Sequence, residues 1–438
     1  MRYRRFLKDY GMIFVLLLLC GFFSVVTMSE QSPVGEVAAR QVSGFVFEQL
    51  GKAPRILIVA SDQPGDGVFA ESLERSLRSG GAEVIGKVRG EPKDAREALE
   101  KIRQAGGKVD GIAATKVVGS WRVFSEMAVD FPGLGEPRLI TPRSYRWPNF
   151  LKAENLLNIA SQIAVIAIVA IGMTMVIITG GIDLSVGSLI ALSAVAVARL
   201  IRDFAGGVEA SVGGMILACV VAILLSGAVG AFSGAMITRF RIPPFIVTLA
   251  MMLVGSGLAY LLAKGQSIYQ IPDSFVWLGR GADLGNLPNA VLLMLVLYGL
   301  AHGVMSRMTL GRYLYAVGGN EEAARLSGVP VKRVLLFAYL ASGLLAGLGG
   351  VIMASQLKSG SPTYGNMYEL YVIAAVVVGG TSLSGGEGKI FGTLIGALII
   401  AVIQNGMNLT NIESYTQKVV LGMVILGAVL LDRMRVKR

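Results

Sequence analysis

The chain has 438 residues, of which 53% are hydrophobic and only 16% charged, and its mean hydropathy is +0.63. Soluble domains carry about 25% charged residues, so this composition excludes a soluble globular protein and indicates a polytopic membrane protein. A net charge of +11 would suggest a nucleic-acid partner in a soluble protein. Here we expect no nucleic acid, because the basic residues fall largely between apolar runs.

Ten apolar runs predict about ten membrane helices, since about 17 to 25 apolar residues span a bilayer. The runs lie at 11–28, 156–178, 185–203, 211–238, 244–263, 287–306, 333–355, 369–380, 389–407 and 417–431. The 56 glycines fit close helix packing and interrupted helices better than a soluble core. The predicted fold class is therefore an all-α polytopic membrane protein with a small α/β insert.

Basic residues predict which side of the membrane each loop faces. If the ten helices alternate, most of the basic clusters fall on one side: "MRYRR", Arg239, Arg241, Arg307, Arg312, Arg325, Lys332, Arg333 and "RMRVKR". The positive-inside rule makes that side cytoplasmic and places both termini there. We interpret 11–28 as a retained first helix rather than a cleaved signal peptide, because no clear cleavage site follows. Cys20 and Cys219 both lie in apolar runs, so no disulfide framework is expected.

Residues 30–150 differ in composition from the rest of the chain. Strands at 55–61, 83–88 and 109–115 alternate with helices at 67–79 and after Pro92, which predicts a small α/β domain with a parallel sheet. The topology places this insert outside the cytoplasm. It is either half of a lobe like those of sugar-binding proteins or a docking or spacer domain. We favour the docking or spacer role, because three strands are too few to enclose a ligand between two lobes.

The residues exclude several kinds of site. The single histidine, His302, lies in an apolar helix, and no cysteine pair has metal-ligand spacing, so no metal site is expected. "LSGGE" at 383–387 matches the signature pentapeptide of ABC ATPases. The phosphate loop that such an ATPase needs is absent, since Ile390 follows Gly388 and Lys389 where a hydroxyl residue is required. We therefore expect no ATP bound to this chain.

Two polar loops interrupt the apolar pattern. "TGGIDLSVGS" at 179–188 and "VGGTSLSGGEG" at 378–388 share the pattern G-G-x-x-L-S-x-G, and each lies between two apolar helices. Irregular backbone at membrane depth is tolerated only where protein buries it or it lines a watery cavity. The loops are either tight turns at the cytoplasmic surface or linings of a translocation path. Asp183 likewise has two possible roles: it lines the translocation path, or it caps the helix that begins near Ser185.

The longest polar cytoplasmic segment is 306–334. Asn320 is a good N-cap, and Glu321 and Glu322 suit the amino terminus of a helix, while Gly328 and Pro330 end it, which predicts a short helix at 321–327. Such a helix is either an ordinary connection or a contact for the groove of a partner protein.

Five blocks in order across 150–438 now carry a resemblance to a known family. They are "GMTMVIITGGIDLSVGS", "RFRIPPFIVTLAMM", "GRYLYAVGGNEEAARLSGVPV", "YELYVIAAVVVGGTSLSGGEGKIFGTLIGALI" and "NGMNL". The chain resembles the permease subunits of bacterial ABC importers for ribose, xylose, arabinose and galactose, whose relatives include permeases for autoinducer-2. The insert at 30–150 departs from the family pattern, which has only a short loop after the first helix.

The resemblance implies a subunit of the bacterial inner membrane that works as a homodimer or heterodimer. It also implies a separate cytoplasmic ATPase, which binds ATP and magnesium, and a separate periplasmic sugar-binding protein. The domains would be 1–29, 30–150 and 151–438. The segment that matches the family's ATPase-coupling region consists of Gly319, Asn320, Glu321, Glu322, Ala323, Ala324, Arg325 and Gly328.

A sugar leaves water only if its hydroxyls find partners, so we expect sparse polar groups along its path. The candidates are Thr179, Gly180, Gly181, Asp183, Ser185, Gln404 and Asn405. Two alternatives from other classes are an ion-coupled secondary transporter that uses Asp183 and a membrane sensor with an outer α/β domain. The first is disfavoured because no basic partner for Asp183 is evident.

Overall fold

A computed structural model describes residues 2–125 and 127–436 of the chain. The described residues form two compact units. Met28–Pro148 is one unit, and the segments on either side of it, up to Thr27 and from Asn149, together make the other. The unit made of the two flanking segments contains the apolar helices, and we call it the membrane unit.

The elements are as follows in chain order. Residues 2–148 form α1 (Arg2–Val26), β1 (Met28–Gln31), α2 (Gly35–Leu50), β2 (Arg55–Ala60), α3 (Asp66–Ser79), β3 (Glu83–Arg89), α4 (Pro92–Gln104), β4 (Gly111–Ala114), α5 (Lys116–Gly119), α6 (Arg122–Ser125), α7 (Met127–Asp130), β5 (Arg138–Ile140) and β6 (Tyr145–Pro148). Residues 153–436 form α8 (Ala153–Ile178), α9 (Val186–Phe204), α10 (Val212–Phe240), α11 (Pro244–Ala263), α12 (Trp277–Arg280), α13 (Asn289–Arg307), α14 (Thr309–Gly319), α15 (Glu321–Leu326), α16 (Val331–Leu357), α17 (Tyr368–Val378), α18 (Ile390–Leu409) and α19 (Ser414–Val436).

Each of the ten predicted apolar runs is a helix in the structure. Within the described residues, six of these helices are long and apolar enough to cross a membrane, namely α8, α10, α11, α13, α16 and α18. Three shorter apolar stretches lie at Gly11–Val26, Tyr368–Val378 and Ser414–Leu430. The predicted class of all-α polytopic membrane protein is therefore confirmed.

The membrane unit is built around α8. Every residue from Ile163 to Ile178 is buried, as expected for a helix that is apolar on all sides. The outer helices instead expose large apolar side chains, such as Leu217 on α10 and Leu261 on α11, which are 65% and 75% exposed. A protein with such a surface needs lipid around it, because soluble monomers rarely expose apolar patches of this extent.

Helices α10 and α16 pack through small residues. A methyl group added at Gly230 of α10 would lie 2.3 Å from the carbonyl oxygen of Tyr339 on α16, and one added at Gly343 of α16 would lie 2.5 Å from the carbonyl oxygen of Ser226. Such close backbone approach is the usual way in which membrane helices gain packing energy. Helix α16 also packs against α8 and α9 through Gly172 and Gly350, and the candidate site lies there.

The smaller unit contains a parallel sheet of four strands in the order β3-β2-β4-β5, and β1 pairs with β6 in a separate antiparallel ribbon. Alternate residues of β2 face opposite sides of the sheet, so Ile56 and Ile58 pack against α2 and α3 while Leu57 and Val59 pack against α4. The three predicted strands and both predicted helices are confirmed. The expected strand count is wrong, because β5 adds a fourth strand to the sheet, and α2 was not predicted.

Candidate functional site

The first polar loop ends α8 and turns back into the bundle. The amide of Gly181 donates to the carbonyl of Val176, and Gly180 adopts a left-handed φ of 79°, so the helix stops at Ile178. The loop then reaches Asp183, which bonds to Ser342 on α16. A methyl group added at Gly172 would lie 2.6 Å from the Cα of the same Ser342. Ser342 therefore lies beside a residue six positions inside α8, about 9 Å from its end, and Asp183 reaches Ser342 through a hydrogen bond.

The carboxylate of Asp183 is fully buried and accepts three hydrogen bonds. Oδ1 accepts from the amide of Ser185 at 3.0 Å and from its hydroxyl at 2.6 Å, and Oδ2 accepts from the hydroxyl of Ser342 at 2.7 Å. Among the described residues, no basic side chain forms an ion pair with it. The bond to the amide of Ser185 spans two residues, as in an Asx turn, and it stops one residue before α9, whose N-cap Ser185 has no side-chain cap bond, so the capping role of Asp183 stays a prediction.

The second polar loop ends α17 in the same way. At the end of α17, the amide of Gly379 donates to the carbonyl four residues earlier, that of Gly380 to the carbonyl three residues earlier, and that of Thr381 to the carbonyl five residues earlier. The amides at the end of α8 make bonds with the same three offsets, in the order Thr179, Gly180 and Gly181. Gly380 has the left-handed φ of 90° that matches Gly180. The structural repeat is therefore shifted by one residue from the shared sequence pattern, which aligned Gly180 with Gly379.

Three backbone segments meet where these loops end, and we call this contact the glycine junction: Ile178–Gly180, Gly318–Gly319 and Gly385–Gly386. The amide of Gly386 donates to the carbonyl of Ile178 at 2.8 Å. A methyl group added at Gly318 would lie 1.7 Å from that same carbonyl oxygen, and one added at Gly385 would lie 2.8 Å from the carbonyl oxygen of Gly318. The first and second polar loops, which we call the helix-ending loops because they end α8 and α17, therefore both contact the end of α14, directly before α15.

Helix α15 is the helix that the sequence predicts at 321–327, and the structure confirms it at Glu321–Leu326. The side chain of Asn320 accepts a hydrogen bond from the amide of Ala323 at 2.9 Å, and Gly328 ends the helix with a left-handed φ of 82°. Leu326 is 82% exposed, an unusual position for a large apolar side chain on a polar segment. Helix α14, which precedes it within the segment 306–334, was not predicted.

A cavity of about 770 Å³ lies beside α15. Seventeen residues line it: Thr179, Gly180, Gly181, Ile237, Thr238, Arg241, Ile242, Pro243, Pro244, Asn320, Glu321, Glu322, Arg325, Val331, Lys332, Leu335 and Tyr339. The structure therefore brings together three of the predicted path residues and four of the predicted coupling residues. Asp183 and Ser185 do not line this cavity, because the loop carries them deeper into the bundle.

Gln404 and Asn405 lie at the opposite end of the membrane unit. Asn405 exchanges two hydrogen bonds with Asn155, at 2.8 and 3.0 Å, and Gln404 is half-buried. Asn155 lies in the first turn of α8 and Thr179 caps its end, a separation of 24 residues or about 36 Å of helix. The structure thus does not bring these two residues together with Thr179–Ser185, and the role of Asn405 as a path residue stays a prediction.

The sequence reasoning missed several polar residues near the centre of the unit, and three of them lie close to the first polar loop or to α9. Tyr339 and Ser342 are both fully buried and three positions apart on α16, a spacing that places them on one face of the helix. Glu369 lies in the first turn of α17, and a methyl group added at Gly187 of α9 would lie 2.2 Å from its Oε2. Of these three, Glu369 alone gave a signal in the sequence, because a carboxylate at the start of an apolar run marks a candidate functional residue in a membrane protein.

Comparisons with known proteins identify the family. A family profile described as "Branched-chain amino acid transport system / permease component" matches residues 155–429. The ribose import permease protein RbsC of Escherichia coli K12 is 44% identical over 289 residues, which cover 65% of this chain and 87% of that protein. RbsC of Bacillus subtilis 168 is 44% identical over 308 residues, covering 69% and 92% of the two chains.

A relative with another named sugar is the L-arabinose transport system permease protein AraH of Escherichia coli K12, which is 38% identical over 293 residues, 66% of this chain and 86% of that protein. No solved structure matches this chain. The matched family range begins after the smaller unit and contains both helix-ending loops and α15. The relatives are transport components rather than enzymes. The chain therefore belongs to the family of ABC importer permease subunits that includes the ribose and L-arabinose permeases.

Proposed function

We propose that this chain is the transmembrane permease of an ATP-driven importer for a monosaccharide, with ribose as the first substrate to test. The observation that carries the proposal is the glycine junction, which joins α15 to both helix-ending loops within the family range. Movement imposed on α15 by a partner would reach the ends of α8 and α17 through backbone contacts alone. The ribose permeases at 44% identity favour a sugar over an amino acid as the substrate.

The family implies an ATPase and a substrate-binding protein as partners. We assign the ATPase contact to α15, because this short helix ends in the exposed Leu326 and carries exposed charges on Glu322 and Arg325. ATP and magnesium would bind to that ATPase and not to this chain. A second permease subunit, identical or related, would complete the membrane core, as the resemblance implies.

Replacing Glu321 and Glu322 together with lysine should abolish ATP-driven uptake while the permease still folds in the membrane. The side chain of Glu322 is 72% exposed and pairs with Arg325 at 2.6 Å, so the change costs little folding stability. The double substitution does, however, reverse the charge at the amino end of α15, which is the proposed contact with the ATPase. Uptake of radiolabelled ribose and co-purification of the ATPase would both be measured.

The matched control replaces the same two glutamates with glutamine, which removes the charge without reversing it. We expect the glutamine variant to retain more ATPase and more uptake than the lysine variant. Wild-type uptake and ATPase binding in the lysine variant would contradict the assignment of α15.

We also propose that the smaller unit lies outside the cytoplasm, that both termini lie inside it, and that the unit serves as a docking or spacer domain. A cysteine in place of the exposed Ser79 should react with a membrane-impermeant maleimide in intact spheroplasts. A cysteine in place of the exposed Ser327, which follows α15, should react only after the membrane is opened. The unmodified chain gives the background from Cys20 and Cys219. Labelling of the Ser327 variant alone in intact spheroplasts would reverse the proposed topology.

A further inference from the structure

Tyr339 has a buried hydroxyl group without a partner. The residue is 0% exposed, and its Oη makes no hydrogen bond to any described part of the chain. Among the residues whose burial is described, the other fully buried tyrosine is Tyr298, whose hydroxyl has the usual partner, because it donates to the carbonyl of Ala167 at 2.9 Å. A hydroxyl buried without a hydrogen bond destabilises the structure that contains it. We therefore expect the hydroxyl of Tyr339 to form a hydrogen bond in another conformational state of the protein.

The hydroxyl group of Tyr339 faces the first helix-ending loop. A methyl group added at Gly181 would lie 2.3 Å from Oη, so only the absence of a side chain at Gly181 lets the loop cover the phenol. Gly181 and Tyr339 both line the 770 Å³ cavity beside α15. A displacement of the loop would open Oη to that cavity. The loop is connected to α15 through the glycine junction, so the ATPase contact can drive this displacement.

Polar groups continue from the cavity towards the centre of the unit. Thr179, Thr238 and the fully buried Tyr339 line the cavity. Ser342, which bonds to Asp183, lies one helical turn further along α16 on the same face as Tyr339. The hydroxyls of Thr179, Thr238 and Ser342 already donate within the protein and offer only lone pairs, so the hydroxyl of Tyr339 supplies the free donor of this set. The cavity volume falls within the range of about 300 to 1,000 Å³ that is typical of small-molecule sites.

We propose that Tyr339 contacts the transported sugar at the inner end of this cavity. When Gly181 moves away, the phenol hydroxyl gains a hydroxyl of the sugar as its partner, and when the loop returns the site is closed behind the departing molecule. The ligand class is a small polyhydroxylated molecule, because it needs groups that both donate to and accept from hydroxyls. This inference rests on the proposed sugar-import function.

The test compares Tyr339→Phe with the wild-type permease in membranes that also contain its ATPase and binding protein. Removing the unpaired hydroxyl should raise the melting temperature of the purified permease. It should also lower the rate of ribose uptake per folded permease by about fivefold, the effect of one lost hydrogen bond between neutral groups. A merely structural tyrosine would not combine higher stability with slower transport.

Tyr298→Phe is the matched control, because it removes a hydroxyl that already has a partner. It should lower the melting temperature and leave uptake per folded permease unchanged. Wild-type uptake by Tyr339→Phe would overturn the inference while the sugar-import function stands. If the wild-type permease imports none of ribose, arabinose, xylose, allose and galactose, the proposed function itself is overturned, and this inference with it.

Discussion

Replacing Gly318 with alanine will prevent the membrane unit from assembling correctly and will abolish transport. The added methyl group would lie 1.7 Å from the carbonyl oxygen of Ile178 and 2.6 Å from the amide nitrogen of Gly386. Both neighbours are backbone atoms, so no change of side-chain rotamer relieves the clash. The same carbonyl also accepts the hydrogen bond from Gly386 that joins the two helix-ending loops. We expect a loss of at least about 3 kcal/mol, at the upper end of the range for overpacked interiors.

The adjacent Gly319 supplies the control. A methyl group added there meets no atom within 4 Å, so Gly319→Ala should change the folding free energy by no more than about 0.5 kcal/mol. The amount of monodisperse permease extracted from membranes and its melting temperature would be measured for both variants. Equal yields and equal melting temperatures would show that the three segments do not meet as the glycine junction describes.

The helices of the membrane unit could be predicted because the bilayer sets both their length and their composition. The run at 156–178 became α8, and the run at 333–355 became α16, each with ends within three residues of the prediction. Even the short run at 369–380 became a helix, the 11-residue α17. A continuous apolar run can be recognised as a membrane helix from its own residues, without knowledge of neighbouring segments.

The smaller unit shows where such local reasoning stops. The strand β2 is a continuous apolar run and was predicted, whereas β5 is only three residues long and carries exposed Arg138 and Leu139. Helix α2 contains Gly44 near its middle, which weakens the helical pattern. Both elements are held in place by packing against the rest of the sheet, and that packing is not visible in a local pattern.

The site could be predicted only in pieces. The sequence indicates that helices break at Gly180 and Gly380, but it does not indicate that Gly318 fits between them, because a backbone contact leaves no side-chain pattern. For Asn405 the sequence does show a signal, but that signal has two interpretations. A polar residue in an apolar helix looks the same whether it lines a path or pairs with another buried amide, as Asn405 does with Asn155.

The second large effect is expected at Asp183. Asp183→Ala would leave the amide and hydroxyl of Ser185 and the hydroxyl of Ser342 without their acceptor. Each buried group that loses its partner costs about 1 to 3 kcal/mol, so we expect a total loss of at least about 3 kcal/mol and little folded permease. Ser342→Ala removes a single donor and should have an intermediate effect on the melting temperature.

Asp183→Asn separates the structural role from a role that depends on charge. The amide oxygen can still accept both bonds from Ser185, and the amide nitrogen can donate to the hydroxyl oxygen of Ser342, so the three contacts survive with one reversed. We expect this variant to fold within about 1 kcal/mol of the wild type and to import ribose at a comparable rate per folded permease. Normal folding with abolished uptake would instead show that transport needs the negative charge, as in the ion-coupled alternative. The carboxylate makes three hydrogen bonds and no ion pair among the described residues, and therefore we expect asparagine to replace it.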